Sequence, residues 1–156
     1  VRLFLYCCSG RTKPMEGFKF SIPVHIRWQD LDPLGHVNNA VFVTYFEMAR
    51  GAYIGEVCPD WDWKQHIFLI ASVQVDFKKE LMLTHVVPKV HVRTSRIGTK
   101  SFGLEYAITT EKGDEEILHA TGSTAQVMFD PVNRKTIPMA DWIREALTGY
   151  DGPFEG

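Results

Sequence analysis

The sequence predicts an α+β fold in which a curled antiparallel sheet wraps around one long central helix, and three observations carry that prediction. Apolar Phe18, Phe20, Ile22, Val24, Ile26 and Trp28 alternate with Lys19, Ser21, Pro23, His25 and Arg27, which is the period of a strand. From Val41 to Val57 the period changes to that of a helix, with Phe42, Tyr45, Phe46, Ala49, Ala52, Tyr53 and Val57 on one side. Four further runs then return to strand character. With 156 residues, of which 45% are hydrophobic, there is material for one substantial core and no room for a second domain.

Taken in order, residues Val1–Gly17 read as an extension, packed on the domain or disordered, and Phe18 to Tyr150 as one domain. The apolar run Leu3-Phe4-Leu5-Tyr6-Cys7-Cys8 is too short to span a membrane and lacks the core and cleavage site of a signal peptide. Pro23 cannot donate to a ladder, so the first strand belongs at an edge. The long helix carries Val41, Val43, Met48 and Ile54 on its other side, and a helix apolar nearly all round asks to be wrapped.

The wrapping follows. Leu69, Ala71, Val73, Val75 and Phe77 alternate with the outward set Ile70, Ser72, Gln74 and Asp76, and strands are expected near 86–95, 100–110 and 116–129. Arg96-Ile97-Gly98-Thr99 and Glu111-Lys112-Gly113-Asp114 have hairpin composition, which makes the last three strands antiparallel neighbours. Asp130-Pro131-Val132-Asn133 is expected to end the sheet, and Trp142, Ile143, Ala146 and Leu147 predict a short terminal helix over 141–147. A single sheet with one face filled leaves edges and a face open, so self-association is expected.

Between the first strand and the long helix lies Asp30-Leu31-Asp32-Pro33-Leu34-Gly35-His36-Val37-Asn38-Asn39, two carboxylates, a histidine and two amides packed into turn chemistry. Asn38 or Asn39 is the expected N-cap, which puts Asp32 and His36 beside unpaired backbone N–H groups suited to a developing negative charge. Asp32 admits two readings from its residues alone, a carboxylate bonded to its own loop or a reacting group. His36, four residues on, is placed to meet Asp32 or to face solvent, and Glu47 and Arg50 have the spacing of an ordinary intrahelical pair.

Asp32-Pro33-x-Gly35-His36-Val37-Asn38-Asn39-Ala40, followed by Tyr45-Phe46-Glu47-x-Ala49-Arg50, resembles the hotdog-fold acyl-CoA thioesterases of the 4-hydroxybenzoyl-CoA thioesterase type. The likeness runs from about Phe18 to about Leu147 and is most specific over the 24 residues Arg27–Arg50; the His-Val-Asn-Asn version is also similar to acyl-ACP thioesterases. The resemblance implies hydrolysis of an acyl-CoA thioester with Asp32 as nucleophile or general base and His36 as an orienting group. It also implies an oxyanion donor at the Asn39 N–H, with Asn38 beside it, and a homodimer or homotetramer with sites at the subunit interface. Arg96, Thr99, Lys100 and Ser101 correspond to a basic segment that holds CoA phosphates, although hairpin-tip cations are commonly just solvated. Ser72 and Gln74 are the expected contribution of a neighbouring subunit.

Other chemistries fit less well. A calcium loop fails at Leu34 and Val41, and Asp30, Asp32 and His36 have no further ligand at metal spacing. There is no Gly-x-Ser-x-Gly elbow, and the thioesterase reading needs no cofactor. A net charge of −2 gives no basic field for nucleic acid. Three cysteines, two of them adjacent, make no disulfide framework and suit a reducing cytoplasm. A hotdog protein that binds acyl thioesters without turnover would keep this fold and have no need of Asp32.

Overall fold

The computed structural model describes residues 15–83 and 86–154, so the adjacent cysteines and most of the expected extension lie outside the described residues. In chain order the elements are β1 (Phe20–Pro23), α1 (Asn39–Val57), β2 (Phe68–Phe77), β3 (Lys89–Ile97), β4 (Ser101–Lys112), β5 (Glu115–Asp130), β6 (Lys135–Thr136) and α2 (Asp141–Asp151). The strands form one antiparallel sheet in the order β1-β3-β4-β5-β2, with β6 beside β5. The hairpin-linked neighbours β3, β4 and β5 are those the glycine-bearing turns predict.

The central stripe of α1 lies on this sheet. Phe46 stacks on Tyr106 of β4 with ring centroids 4.4 Å apart, and Gly122, paired with Tyr106 on β5, leaves the space for it. A Cβ on Gly122 would meet the Phe46 ring and lie 2.6 Å from the Gln74 carbonyl oxygen. Close approach therefore requires glycine here. At the far end of α1 the Tyr53 hydroxyl donates to Asp151 Oδ2 at 2.6 Å, and the Thr94 N–H donates to the same oxygen at 2.7 Å. That latch carries α2 on to Asp151, beyond the stretch its apolar spacing predicts.

Three expectations are corrected. The first strand stops at Pro23, and a 3-10 turn occupies Trp28–Asp30, because Asp30 Oδ2 captures the Arg27 N–H at 2.8 Å and bends the chain; Trp28 is left exposed. The sheet continues past Asp130 into β6. In β2 the register shifts between Ile70 and Ser72, so Ile70 pairs with Gln126 and joins Val73, Val75 and Phe77 on the α1 side instead of the outward set. The helix is wrapped on one side only, since Val43 and Met48 remain exposed in the single chain.

Candidate active site

The loop between β1 and α1 is a miniature hairpin. Leu31 and Val37 form an antiparallel bridge, the Asp32 N–H donates to the His36 carbonyl at 2.7 Å, and the Gly35 N–H donates to the Asp32 carbonyl at 3.0 Å. Gly35 has φ +80°, a conformation natural to glycine, and it lets four residues reverse the chain. Asp32 Oδ1 accepts from the Leu34 N–H at 2.9 Å and the His36 N–H at 3.0 Å. The Asx-turn reading is thus realised at one oxygen, while Oδ2 has no hydrogen bond among the described residues and stays available.

Asp30 is what holds this loop to the body. Its carboxylate is buried and accepts from the Arg27 N–H and guanidinium and, at 2.9 Å, from the Tyr45 hydroxyl. Burial works against the charge, but the Arg27 and Tyr45 donors outweigh it and hold the Asp30 carboxyl below the usual carboxylate range. Its carbonyl takes the Asn38 N–H at 2.8 Å, which sets the start of α1. Asn38 then caps the helix, its side chain accepting from the Ala40 N–H at 3.0 Å. Asn39, the first helical residue, has a backbone N–H with no partner among the described residues, as the first turn of a helix dictates.

Asp32, His36 and Asn39 line one cavity of about 320 Å³ together with Val37, Phe42, Phe77 and the strap Lys78–Leu81. The strap is pinned on both sides. On the loop side the Val37 N–H donates to the Leu81 carbonyl at 2.7 Å and His36 bridges Met82. On the sheet side Lys78 and Lys79 donate their N–H groups to the His119 carbonyl, and His119 Nδ1 bonds the Glu80 carbonyl at 2.8 Å. Thr110 Oγ1 lies 2.8 Å from His119 Nε2, so the neutral ring with its proton on Nδ1 satisfies both contacts. Burial lowers the pKa of this imidazole and favours that neutral form.

A carboxylate with one oxygen anchored and one free, a histidine beside it and an unpaired helix N–H across a small cavity are the parts of a site that can attack a carbonyl and hold the oxyanion. The model of the thioesterase-like superfamily matches residues 26–147. The chain belongs to that superfamily. A thioesterase from Thermus thermophilus, complexed with coenzyme A and Zn, is 36% identical with a TM-score of 0.76, covering 89% of this chain and 98% of its own. The uncharacterised protein YsmA of Bacillus subtilis (strain 168) is 28% identical over 130 residues, 83% of this chain and 86% of its own. A mutant of 4-hydroxybenzoyl CoA thioesterase complexed with 4-hydroxybenzoyl CoA shares the hotdog fold, with a TM-score of 0.74 at 16% identity over 82% of this chain and 97% of its own.

Within this thioesterase fold the expected site residues separate into two groups. Asp32, His36 and Asn39 meet in the cavity, with the Asn38 cap next to them. Arg96, Thr99, Lys100 and Ser101 do not join them in the same chain. Phe77, in the cavity, shares a ladder row with Ala120 and Ile108, whereas Phe102 beside the hairpin is six residues along β4, roughly 20 Å away at the rise of a strand. There Arg144 donates to the Gly98 carbonyl at 3.1 Å, and the Met139 N–H donates to the Thr99 carbonyl at 3.0 Å. Gln74 and Ser72 lie on the sheet face turned from α1, Gln74 in a separate depression with Asp76 and Arg93. Glu47 and Arg50 form no pair, because Arg50 turns inward and is buried while Glu47 stays exposed. The strap Lys78–Leu81 was not expected; its signal is a charged run placed directly after a strand. Among the described residues no three His, Cys, Asp or Glu side chains converge as a metal site would require.

Proposed function

We propose that this thioesterase hydrolyses acyl-CoA, with the free Asp32 Oδ2 over the cavity as the observation that carries the reading. Asp32 either attacks the thioester carbonyl or takes a proton from the attacking water; the carbonyl oxygen gains the charge and the Asn39 N–H receives it. The C–S bond then breaks and CoA leaves as the thiol, its sulfur taking up a proton derived from water; where Asp32 is the nucleophile, water hydrolyses the acyl–Asp32 anhydride, and by either route the acyl group leaves as the acid. His36 is held at the mouth of the loop through its own N–H bond to Asp32 Oδ1, where it orients the reacting groups. Lys78 and Lys79 in the cavity wall supply cationic groups for the phosphates of CoA.

The working assembly in this reading is a homodimer or a pair of dimers. Strand β2 is the outer strand of the long sheet, ten residues with Leu69 49%, Val73 44% and Phe77 47% exposed, a long apolar edge that asks for a partner. Antiparallel pairing of two β2 edges about their middle would set Phe77 of one copy against the Leu69 end of the other. The hairpin with Arg96 and Lys100 would then approach the neighbouring Asp32 cavity, which gives the CoA-phosphate role of that hairpin a geometric route. A reducing cytoplasm is part of the same reading, supported by three cysteines without a framework, of which Cys58 is free and buried. No helix among the described residues is long and apolar enough to cross a membrane.

The test is thiol release from short, long and aryl acyl-CoAs, with the best acyl chain repeated on acyl carrier protein. Turnover of CoA esters that Asp32→Asn abolishes supports the proposal. Turnover of the carrier-protein ester alone would move the substrate assignment, and saturable binding without turnover would make the protein a binding module.

A further inference from the structure

Arg50 is unexplained by the mechanism. Its side chain is buried at 9% exposure on the sheet-facing stripe of α1, and no carboxylate pairs with it among the described residues. Its surroundings are the face of Phe68, 5.9 Å from the guanidinium, and the Tyr106 hydroxyl, a neutral hydrogen-bond partner that brings no negative charge. A buried cation without an anion is costly, and a ring face offsets only a fraction of that cost. Against the same Phe68 ring, with centroids 5.8 Å apart, lies Trp61, whose indole Nε1 is the one fully buried side-chain polar atom without a partner among the described residues. A cation without an anion and an N–H without an acceptor therefore flank one aromatic ring.

Position ties these donors to the catalytic cavity. Phe42 lines the cavity, and Arg50 follows it by eight residues on the same stripe of α1, a rise of about 12 Å. Val43 on α1 and Ile70 on the α1 side of β2 are each 37% exposed in the single chain. We infer that Arg50, with the Trp61 N–H, receives a carboxylate carried by the acyl group at the end remote from the thioester, so that the preferred substrates are CoA esters of dicarboxylic or carboxylated acids. A guanidinium matches a carboxylate in shape and charge, and the desolvated site strengthens the contact. The inference rests on the Asp32 cavity being the place of hydrolysis.

The test compares suberoyl-CoA with octanoyl-CoA, the same eight-carbon chain with and without a distal carboxylate, and measures the melting shift with free suberate. The wild-type protein should favour suberoyl-CoA in kcat/KM by at least about tenfold, as a hydrogen-bonded charge pair would produce. Arg50→Met should collapse that ratio towards one and abolish the suberate shift; Arg50→Lys, which keeps the charge but not the fork, should retain part of both and serves if the methionine variant does not fold. A wild-type ratio near one, or the absence of a suberate shift, overturns the inference. So does loss of both activities by one factor together with dissociation of the oligomer, which would assign Arg50 to a carboxylate of a second copy. An Arg50-dependent suberate shift without hydrolysis of any thioester leaves the anion site standing and removes the catalytic reading instead.

Discussion

Asp32 shows how one side chain meets a structural and a chemical demand by dividing them between its two oxygens. Oδ1 holds the hairpin through the Leu34 and His36 amides, and Oδ2 is left for chemistry. Asp32→Asn keeps an oxygen for the two amides and removes the base or nucleophile, so kcat should fall by at least about 10² with the melting temperature little changed. Near-normal turnover in the folded variant would take Asp32 out of the mechanism. His36→Ala should cost less, because the His36 N–H bond that fixes Asp32 belongs to the backbone and survives the substitution. A larger loss at His36 than at Asp32 would reverse the assigned roles.

At the scale of elements, the site depends on contacts made by a helix, a sheet and a strap. Gly122→Ala would push a methyl into the Phe46 ring and the Gln74 carbonyl, and backbone on one side leaves little to yield. It should destabilise the protein by roughly 1–3 kcal/mol, as overpacking does, measurable by urea titration; an unchanged midpoint would show that α1 can rise from the sheet without cost. His119→Leu removes the Nδ1 bond to Glu80 and should loosen the strap, seen as faster hydrogen exchange at the Val37 amide, while His119→Asn, which can still donate there, should restore protection. Equal exchange in both variants would mean that the two bonds to the His119 carbonyl suffice.

For the molecule as a whole, two buried histidines tie stability to pH. Burial lowers the pKa of His119, and it lowers that of His91 too despite the opposing charge of Glu116. The unfolded chain therefore takes up protons more readily between the unfolded value, about 6.5, and the lower folded values. This share of stability is complete above about pH 6.5 and is lost as pH falls towards the folded pKa values. Melting temperatures should drop from pH 7.5 to 5.5, with a shallower slope in His119→Gln; parallel slopes would clear His119 of the effect. Assembly is the second property at this scale. Mixing Asp32→Asn chains with chains carrying Lys100→Ala and Arg96→Ala should recover part of the activity through hybrid dimers with one intact composite site. No recovery after verified subunit exchange would confine each site to one chain, and Gln74→Ala in the same design tests the face turned from α1.

The order and kind of the main elements can be read from the residues alone, because period two and period 3.6 are written in side chains that pack locally, and turns announce themselves through Gly, Pro and Asn. The turn inside the Asp32 loop was equally legible, since the bonds that close it join residues within a few positions, from Asp32 to His36 and from Asn38 to Ala40, whereas the bonds from Val37 to Leu81 and from Tyr45 to Asp30 that seat the loop were not. Features that depend on distant partners emerge on folding. The burial of Asp30 in the turn after β1 followed from the Tyr45 hydroxyl, fifteen residues on, and the register of β2 from a bulge that local alternation does not mark. The strap joined the site through His119, 39 residues beyond Glu80, and the basic hairpin fell at the other end of β4. Arg50 turned away from Glu47 into the interior for the same reason: helical spacing sets which residues are neighbours, but burial is decided by what the sheet places opposite them.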